Sequence, residues 1–313
     1  MLKLDHATPA DLAYCRQMIR QGSKSFHLAS LLLPTTYRES ARALYGFCRM
    51  ADDLVDNASA PQHAVVQLAQ RLDRIYDGEP NDEPTDRAFA DVVRRFAIPR
   101  AIPDALIEGF VWDATSKQYD TLSDVIAYGV RVAGTVGVMM SLIMGRREPV
   151  TLARAIDLGV AMQLSNIARD VEEDAKLGRV YVPRDVKSAG DLVMEAEKLY
   201  EKSRSGIALL PLSCRASINA ARLLYREIGL AAAKQNHVGR AVVPTKRKLM
   251  LVSQAVAQVP VLRASDSSPC LNEGQFLVDA VLNEQVSNTK SQGLKGQIDW
   301  AMEMFVTVEE RRS

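Results

Sequence analysis

Two aspartate pairs, Asp52/Asp56 and Asp170/Asp174, stand at i,i+4 spacing inside segments that otherwise read as apolar helices. At about 100° per residue the first pair shares a face with Tyr45 and Arg49, and the second shares one with Gln163 and Asn166. Arg169 lies beside the second face. Carboxylates so spaced repel one another unless a cation intervenes. Mg²⁺ takes oxygen ligands, dehydrates reluctantly, and is normally held by one or two carboxylates together with substrate phosphates and waters. Two such faces turned toward each other would hold Mg²⁺, or Mn²⁺ in its place, against a diphosphate. In a dry cavity that cation stabilises charge developing on a leaving oxygen better than water does. Arg49, Arg169 and Arg179 can add charge-assisted hydrogen bonds to phosphate oxygens. Either pair alone reads first as a solvated helix face; their recurrence in apolar helices brings the metal–diphosphate reading level with that one, and the residues alone leave both open.

The elements that carry these residues are helices. Apolar residues recur at steps of three and four through most of the chain, and alternating runs bounded by turn signals are nearly absent, which predicts an all-α fold. Thr8-Pro9 reads as the cap and first turn of a helix over 9–21, interrupted at 22–26. Pro34 opens the first acidic helix, which ends near Asn57. Further helices are expected over 62–77, 86–97, 103–118, 122–144, 151–176, 191–210, 213–235, 245–258, 274–288 and 293–310. Loops fall at 78–84 and 261–272, where Pro, Gly, Asn and Ser cluster. Residues 1–260 are read as one helical domain, with 261–313 as a loop and helices docked on it.

Composition narrows the function. The chain has 313 residues, 47% hydrophobic and 25% charged, with a formal net charge of +1, so no nucleic-acid partner is expected. Cys15, Cys48, Cys214 and Cys270 show no C-x-x-C spacing, which points away from zinc or a disulfide framework and toward a reducing cytoplasm. Residues 1–10 lack the apolar core of a signal peptide. The longest apolar stretch, 132–144, is Gly-rich and too short to cross a bilayer. Peripheral contact with the inner face of the cell membrane stays open, as does the oligomeric state.

With these residues in view, the chain resembles the squalene/phytoene synthase family of head-to-head prenyl synthases. The likeness runs through Gly22-Ser23-Lys24-Ser25-Phe26, Ala43-Leu44-Tyr45 to Asp56, Tyr128 to Gly137, and Gln163 to Pro183. It covers roughly residues 10–260. The run Asn166 to Asp174 followed by Gly178-Arg179-Val180-Tyr181-Val182-Pro183 is similar to the second family signature.

The resemblance implies a class I isoprenoid (terpenoid) synthase fold around a central cavity. It implies that two geranylgeranyl diphosphates condense to phytoene through prephytoene diphosphate, the first committed step of carotenoid biosynthesis, without NADPH. Prenyl diphosphates are the implied partners, with neighbouring carotenoid-pathway enzymes as further ones. The alternatives are a synthase making a C30 product such as squalene or dehydrosqualene, a non-catalytic assembly factor of the same fold, and a terpene cyclase.

By position the resemblance assigns Asp52, Asp56, Asp170 and Asp174, with Asn166, to the metal, leaving Asp53 and Glu173 as neighbours. Arg49, Asn166, Arg169 and Arg179 are assigned to diphosphate or to groups behind it. Tyr45, Tyr128 and Phe26 would line the reacting end, where aromatic faces stabilise carbocations. Tyr181 is assigned to substrate binding. Ser23 and Ser25 would face phosphate or cap the next helix; Gln163 would bond phosphate or water. Gly134 and Gly137 would thin a tunnel wall or permit close helix crossing. Arg240, Arg247 and Lys248 would reach a second diphosphate or open a solvated basic helix. An aromatic expected near His237 is missing. An apolar face through Leu294, Ile298, Ala301, Met302 and Phe305 would dock on the core or touch a membrane.

Overall fold

The structure, a computed structural model, describes residues 5–234 and 240–287. The expected helix at 293–310 and the position of His237 lie outside the described residues. Among the described residues the chain is helical throughout: α1 (Pro9–Gly22), α2 (Lys24–Ser30), α3 (Thr35–Asp56), α4 (Pro61–Tyr76), α5 (Pro84–Phe96), α6 (Ala101–Ala114), α7 (Leu122–Gly129), α8 (Thr135–Ile143), α9 (Pro149–Lys176), α10 (Ala189–Leu209), α11 (Leu212–Lys234), α12 (Thr245–Gln258) and α13 (Gln275–Ser287). Proline in the first turn starts α1, α4, α5 and α9, where its missing N–H costs nothing. Capping boxes at Thr8/Asp11, Thr121/Asp124 and Ser188/Asp191 start α1, α7 and α10.

Helix α9 is the axis of the molecule. It packs against α10, α11, α8 and α7, and its buried face carries Leu152, Ile156, Val160, Leu164 and Ile167. Helix α3 buries Leu44, Phe47, Ala51 and Val55 against α1 and α5, with Phe47 stacked on Phe89 at 4.2 Å. The acidic stripes of α3 and α9 are thereby set on helices whose other faces are fixed in the core.

Three features depart from the expectations. The break at 22–26 is a single residue, Ser23, whose extended backbone (φ −147°) and hydroxyl, which accepts from the Phe26 amide at 3.2 Å, start the unexpected short helix α2. The expected helix 122–144 carries a five-residue π turn at Val130–Gly134 between α7 and α8. The whole stretch Leu122–Ile143 is long and apolar enough to cross a membrane by length and composition, which corrects the shorter estimate made from 132–144; it is nonetheless largely buried in the fold.

The segment after α12 is tied to α9. Arg154, only 1% exposed, donates from Nη1 to the Ser268 hydroxyl at 2.7 Å and from Nη2 to the Ser268 and Pro269 carbonyls at 3.1 Å. It also pairs with Asp157 and Asp266, both at 2.9 Å. Helix α13 then packs on α9 and α6.

Candidate active site

The two acidic stripes meet across the loop that follows α9. Gly178, at φ +76°, turns the chain after the helix, a conformation glycine adopts without strain. The next residue, Arg179, donates from Nη2 to Asp56 Oδ1 on α3 at 2.6 Å. Its charge also acts on Asp52 and Asp174. One guanidinium therefore sits among carboxylates from both helices, at a sequence separation only the fold can close.

Each remaining acid has a cation beside it. Arg49 binds Asp53 with Nε and Nη2, at 3.0 and 2.6 Å, and lies 3.6 Å from Asp52. Arg169 grips its neighbour Asp170 through Nε at 2.7 Å and Nη2, and Arg240 reaches the same carboxylate at 2.9 Å. Partial withdrawal from water, and then repulsion from Asp56, pushes Asp52 up to about 6; Asp174 rises to about 6 by withdrawal from water and the charge of Asp170.

These donors fit Mg²⁺ or Mn²⁺ in one particular manner. They are all oxygen, they are paired within each helix, and burial, with the neighbouring charge second, already raises Asp52 and Asp174. Among the described residues no three His, Cys, Asp or Glu side chains converge on one point. An ion here would be shared between a carboxylate pair and substrate phosphates, the usual arrangement for Mg²⁺.

Beneath the acidic rim an apolar cavity runs into the fold. Its mouth carries Tyr45, Phe26, Gln163 and Asn166, so four of the predicted residues meet there. Phe26 packs edge-on to Tyr45 at 6.1 Å and against Tyr225 at 4.7 Å. Burial pushes the Tyr45 phenol up to about 12, so it stays protonated. A Cβ at Gly22 would stand 2.4 Å from the Tyr45 hydroxyl, so this glycine makes room for the ring. Ser23 caps α2 and bonds Tyr225, while Ser25 is buried in α2. Gly137 is among the residues lining the cavity and lies so close to α9 that a Cβ would meet the Ala155 carbonyl at 2.4 Å, which is a close helix crossing. Gly134 is absent from the lining and meets only ordinary contacts.

Two predicted residues lie beside the cavity rather than in it. Tyr181 and Tyr128 donate to Asp113 at 2.7 and 3.0 Å, and their rings stack at 4.9 Å, with Tyr119 against both. Burial pushes Asp113 up to about 7 against the pull of the Tyr181 hydrogen bond, Arg179 and Tyr128. This trio anchors the loop that delivers Arg179. Asp113 escaped the sequence reading because it is a lone acid in an apolar helix with no repeat or spacing to single it out. Arg247 is placed away from the carboxylates, bound to Glu227 at 2.8 and 2.9 Å.

Comparison with known proteins gives a family and several relatives. Residues 19–190 match the family described as squalene/phytoene synthase. The phytoene synthase of Rhodobacter capsulatus is 44% identical, covering 91% of this chain and 94% of its own length. That of Cereibacter sphaeroides is 41% identical over 91% and 92%. Among solved structures, a dehydrosqualene synthase in complex with ligand is 31% identical and superposes with a TM-score of 0.74, covering 80% of this chain and 97% of its own. A squalene synthase from Alicyclobacillus acidocaldarius gives 0.64 at 26% identity, over 71% and 92%.

Proposed function

This chain belongs to the squalene/phytoene synthase family, and from that premise we propose that it joins two geranylgeranyl diphosphates head to head, through prephytoene diphosphate, to give phytoene. The observation that carries the reading is the likeness to phytoene synthases over nine-tenths of the chain, supported by an apolar cavity lined by Tyr45, Gln163 and Asn166 from the two helices that carry the aspartate pairs.

Asp52, Asp56, Asp170 and Asp174, with Asn166, would hold Mg²⁺, for which Mn²⁺ can substitute. When bound, the ion neutralises charge developing on the departing diphosphate. The guanidinium groups of Arg49, Arg169, Arg179 and Arg240 add fixed positive charge at the rim and can donate to phosphate oxygens. Below them the apolar wall would keep water from the allylic cation, and Phe26 and Tyr45, which line the cavity, would offer π faces to it. Tyr128 and Tyr181 hold the Arg179 loop through Asp113. No hydride donor is required, because the reaction ends in proton loss.

The reading places the enzyme in the cytoplasm, supported by four unpaired thiols. Contact with a lipid surface, where a hydrocarbon product would leave, is supported by α12. It exposes Leu249, Met250 and Val256, carries Lys246, Arg247 and Lys248, and has no acid between Thr245 and Val261. Co-sedimentation with anionic vesicles that Leu249→Glu abolishes would agree; equal sedimentation of the variant removes that contact.

Purified protein given labelled C15 and C20 diphosphates with Mg²⁺, with and without NADPH, tests the main reaction. Phytoene formed without NADPH is expected; C30 hydrocarbon as the sole product overturns the reading.

A further inference from the structure

Helix α10 stands between two hollows. Its inner face gives Ser203, Gly206 and Ile207 to the apolar cavity. Its outer face carries Lys198, Glu201, Lys202 and Ser205 at steps of three, one and three residues, and these line a separate cleft. The other wall of that cleft is the segment after α12, through Arg263, Ser265 and Asp266. The cleft holds about 360 Å³, toward the low end for a small-molecule site.

Its charges do not balance. Both acids in it are already matched: Glu201 pairs with Arg204 at 3.4 Å, while Asp266 pairs with the buried Arg154 at 2.9 Å and accepts from the Ser268 amide at 2.7 Å. Among the cations, Lys198 pairs with Glu195 at 2.7 Å. Lys202 and Arg263 pair with no carboxylate among the described residues. Arg263 donates only to the Pro260 and Leu262 carbonyls, both from Nη1, which leaves Nε and Nη2 uncommitted. Lys202 is half-buried, and its charge acts at longer range on Asp157 and Asp266, acids that Arg154 already holds. Unmatched positive charge thus stands on both walls of one cleft, where like charges repel unless an anion lies between them.

We propose that this cleft binds a small phosphate-bearing anion, of the size of a diphosphate, between Lys202 and Arg263, with Lys198 and the exposed Ser265 hydroxyl at its edge. The Arg263 fork and the two ammonium groups suit phosphate oxygens, and the volume excludes a polymer. Because the anion touches both walls, its binding fastens the 261–269 segment to α10. That segment carries Asp266, Ser268 and Pro269, the groups that hold Arg154 at the wall of the apolar cavity. The site is separate from the acidic helices and independent of the prenyl reaction.

The test is calorimetric titration of the full chain with inorganic diphosphate in EDTA, so that no Mg²⁺ joins the anion to the aspartates. Wild type, Lys202→Gln/Arg263→Gln and the rim variant Arg179→Gln/Arg240→Gln are compared. The cleft variant is expected to bind at least about tenfold more weakly and the rim variant as wild type does. No binding by wild type overturns the site, as does equal weakening by both variants, or loss confined to the rim variant. Citrate bound as tightly as diphosphate overturns the phosphate class. Hydrogen exchange across 261–269 is expected to slow when diphosphate is bound to wild type; unchanged exchange at saturation overturns the fastening of the segment.

Discussion

Replacing Tyr181 by Phe removes one hydroxyl and nothing else, and the consequence should depend on pH. Tyr181 donates to Asp113 at 2.7 Å, and burial has pushed that carboxyl up to about 7 from 3.8. Because the folded value is raised, the unfolded chain loses its proton first as pH rises. Stability contributed by Asp113 is therefore complete below about 4 and declines as pH climbs toward about 7. Near pH 5.5 the folded carboxyl is protonated, and the lost hydrogen bond costs about 1 kcal/mol. Near pH 8 it is ionised, and losing a bond to a charged acceptor costs about 1.5–3 kcal/mol. Tyr128 remains as a second donor at 3.0 Å, which holds the cost toward the lower half of that range. Urea unfolding of wild type and Tyr181→Phe at the two pH values measures the difference. A penalty that is equal at both, or larger at pH 5.5, refutes the placement of a titrating carboxylate under this loop. Turnover should fall along with stability at pH 8, since the loop delivers Arg179 to Asp56.

Asp11 offers the opposite sign. It is buried and grips Arg87 at 2.7 and 3.0 Å while closing the capping box of α1, and the Arg87 hydrogen bond draws its carboxyl down to about 2. Asp11→Asn should cost about 2 kcal/mol at neutral pH, and the gap to wild type should close as pH falls from about 4 through about 2; denaturant titration across that range checks it. Arg154→Met leaves Asp157 buried without its partner, so destabilisation of about 3–5 kcal/mol is expected, with the 262–274 segment becoming protease-sensitive. Limited proteolysis at unchanged rate would contradict the role of Arg154 in fixing that segment.

Much of the site was legible because its chemistry is repeated and local. Asp52/Asp56 and Asp170/Asp174 announce themselves by spacing alone, and Tyr45, Gln163 and Asn166 follow by helical phase; all three last residues stand at the cavity mouth. What the phase cannot supply is the partner of each charge. Arg179–Asp56 and Arg154–Ser268 link residues more than a hundred positions apart; the sequence singles out Arg179 as a phosphate ligand without its carboxylate partner, and Arg154 not at all. Tyr128 and Tyr181 were read as substrate-facing aromatics, yet a lone aspartate in α6 holds them to one side. Helix α2 was missed because a single capped residue, Ser23, breaks the backbone less than Gly22 beside it suggests. The π turn at Val130–Gly134 left no mark in an apolar periodicity that continues through it.

The account stands most directly on the two acidic helices acting as one site. Diphosphate release from geranylgeranyl diphosphate should be measured for wild type, Asp52→Asn, Asp170→Asn and the double variant, each checked for an intact helical fold. Groups that work as a unit fail together, so each single change should remove about a thousandfold or more of turnover and the double should lose little further. Full turnover by either folded single variant, or losses that multiply in the double, would contradict a shared site.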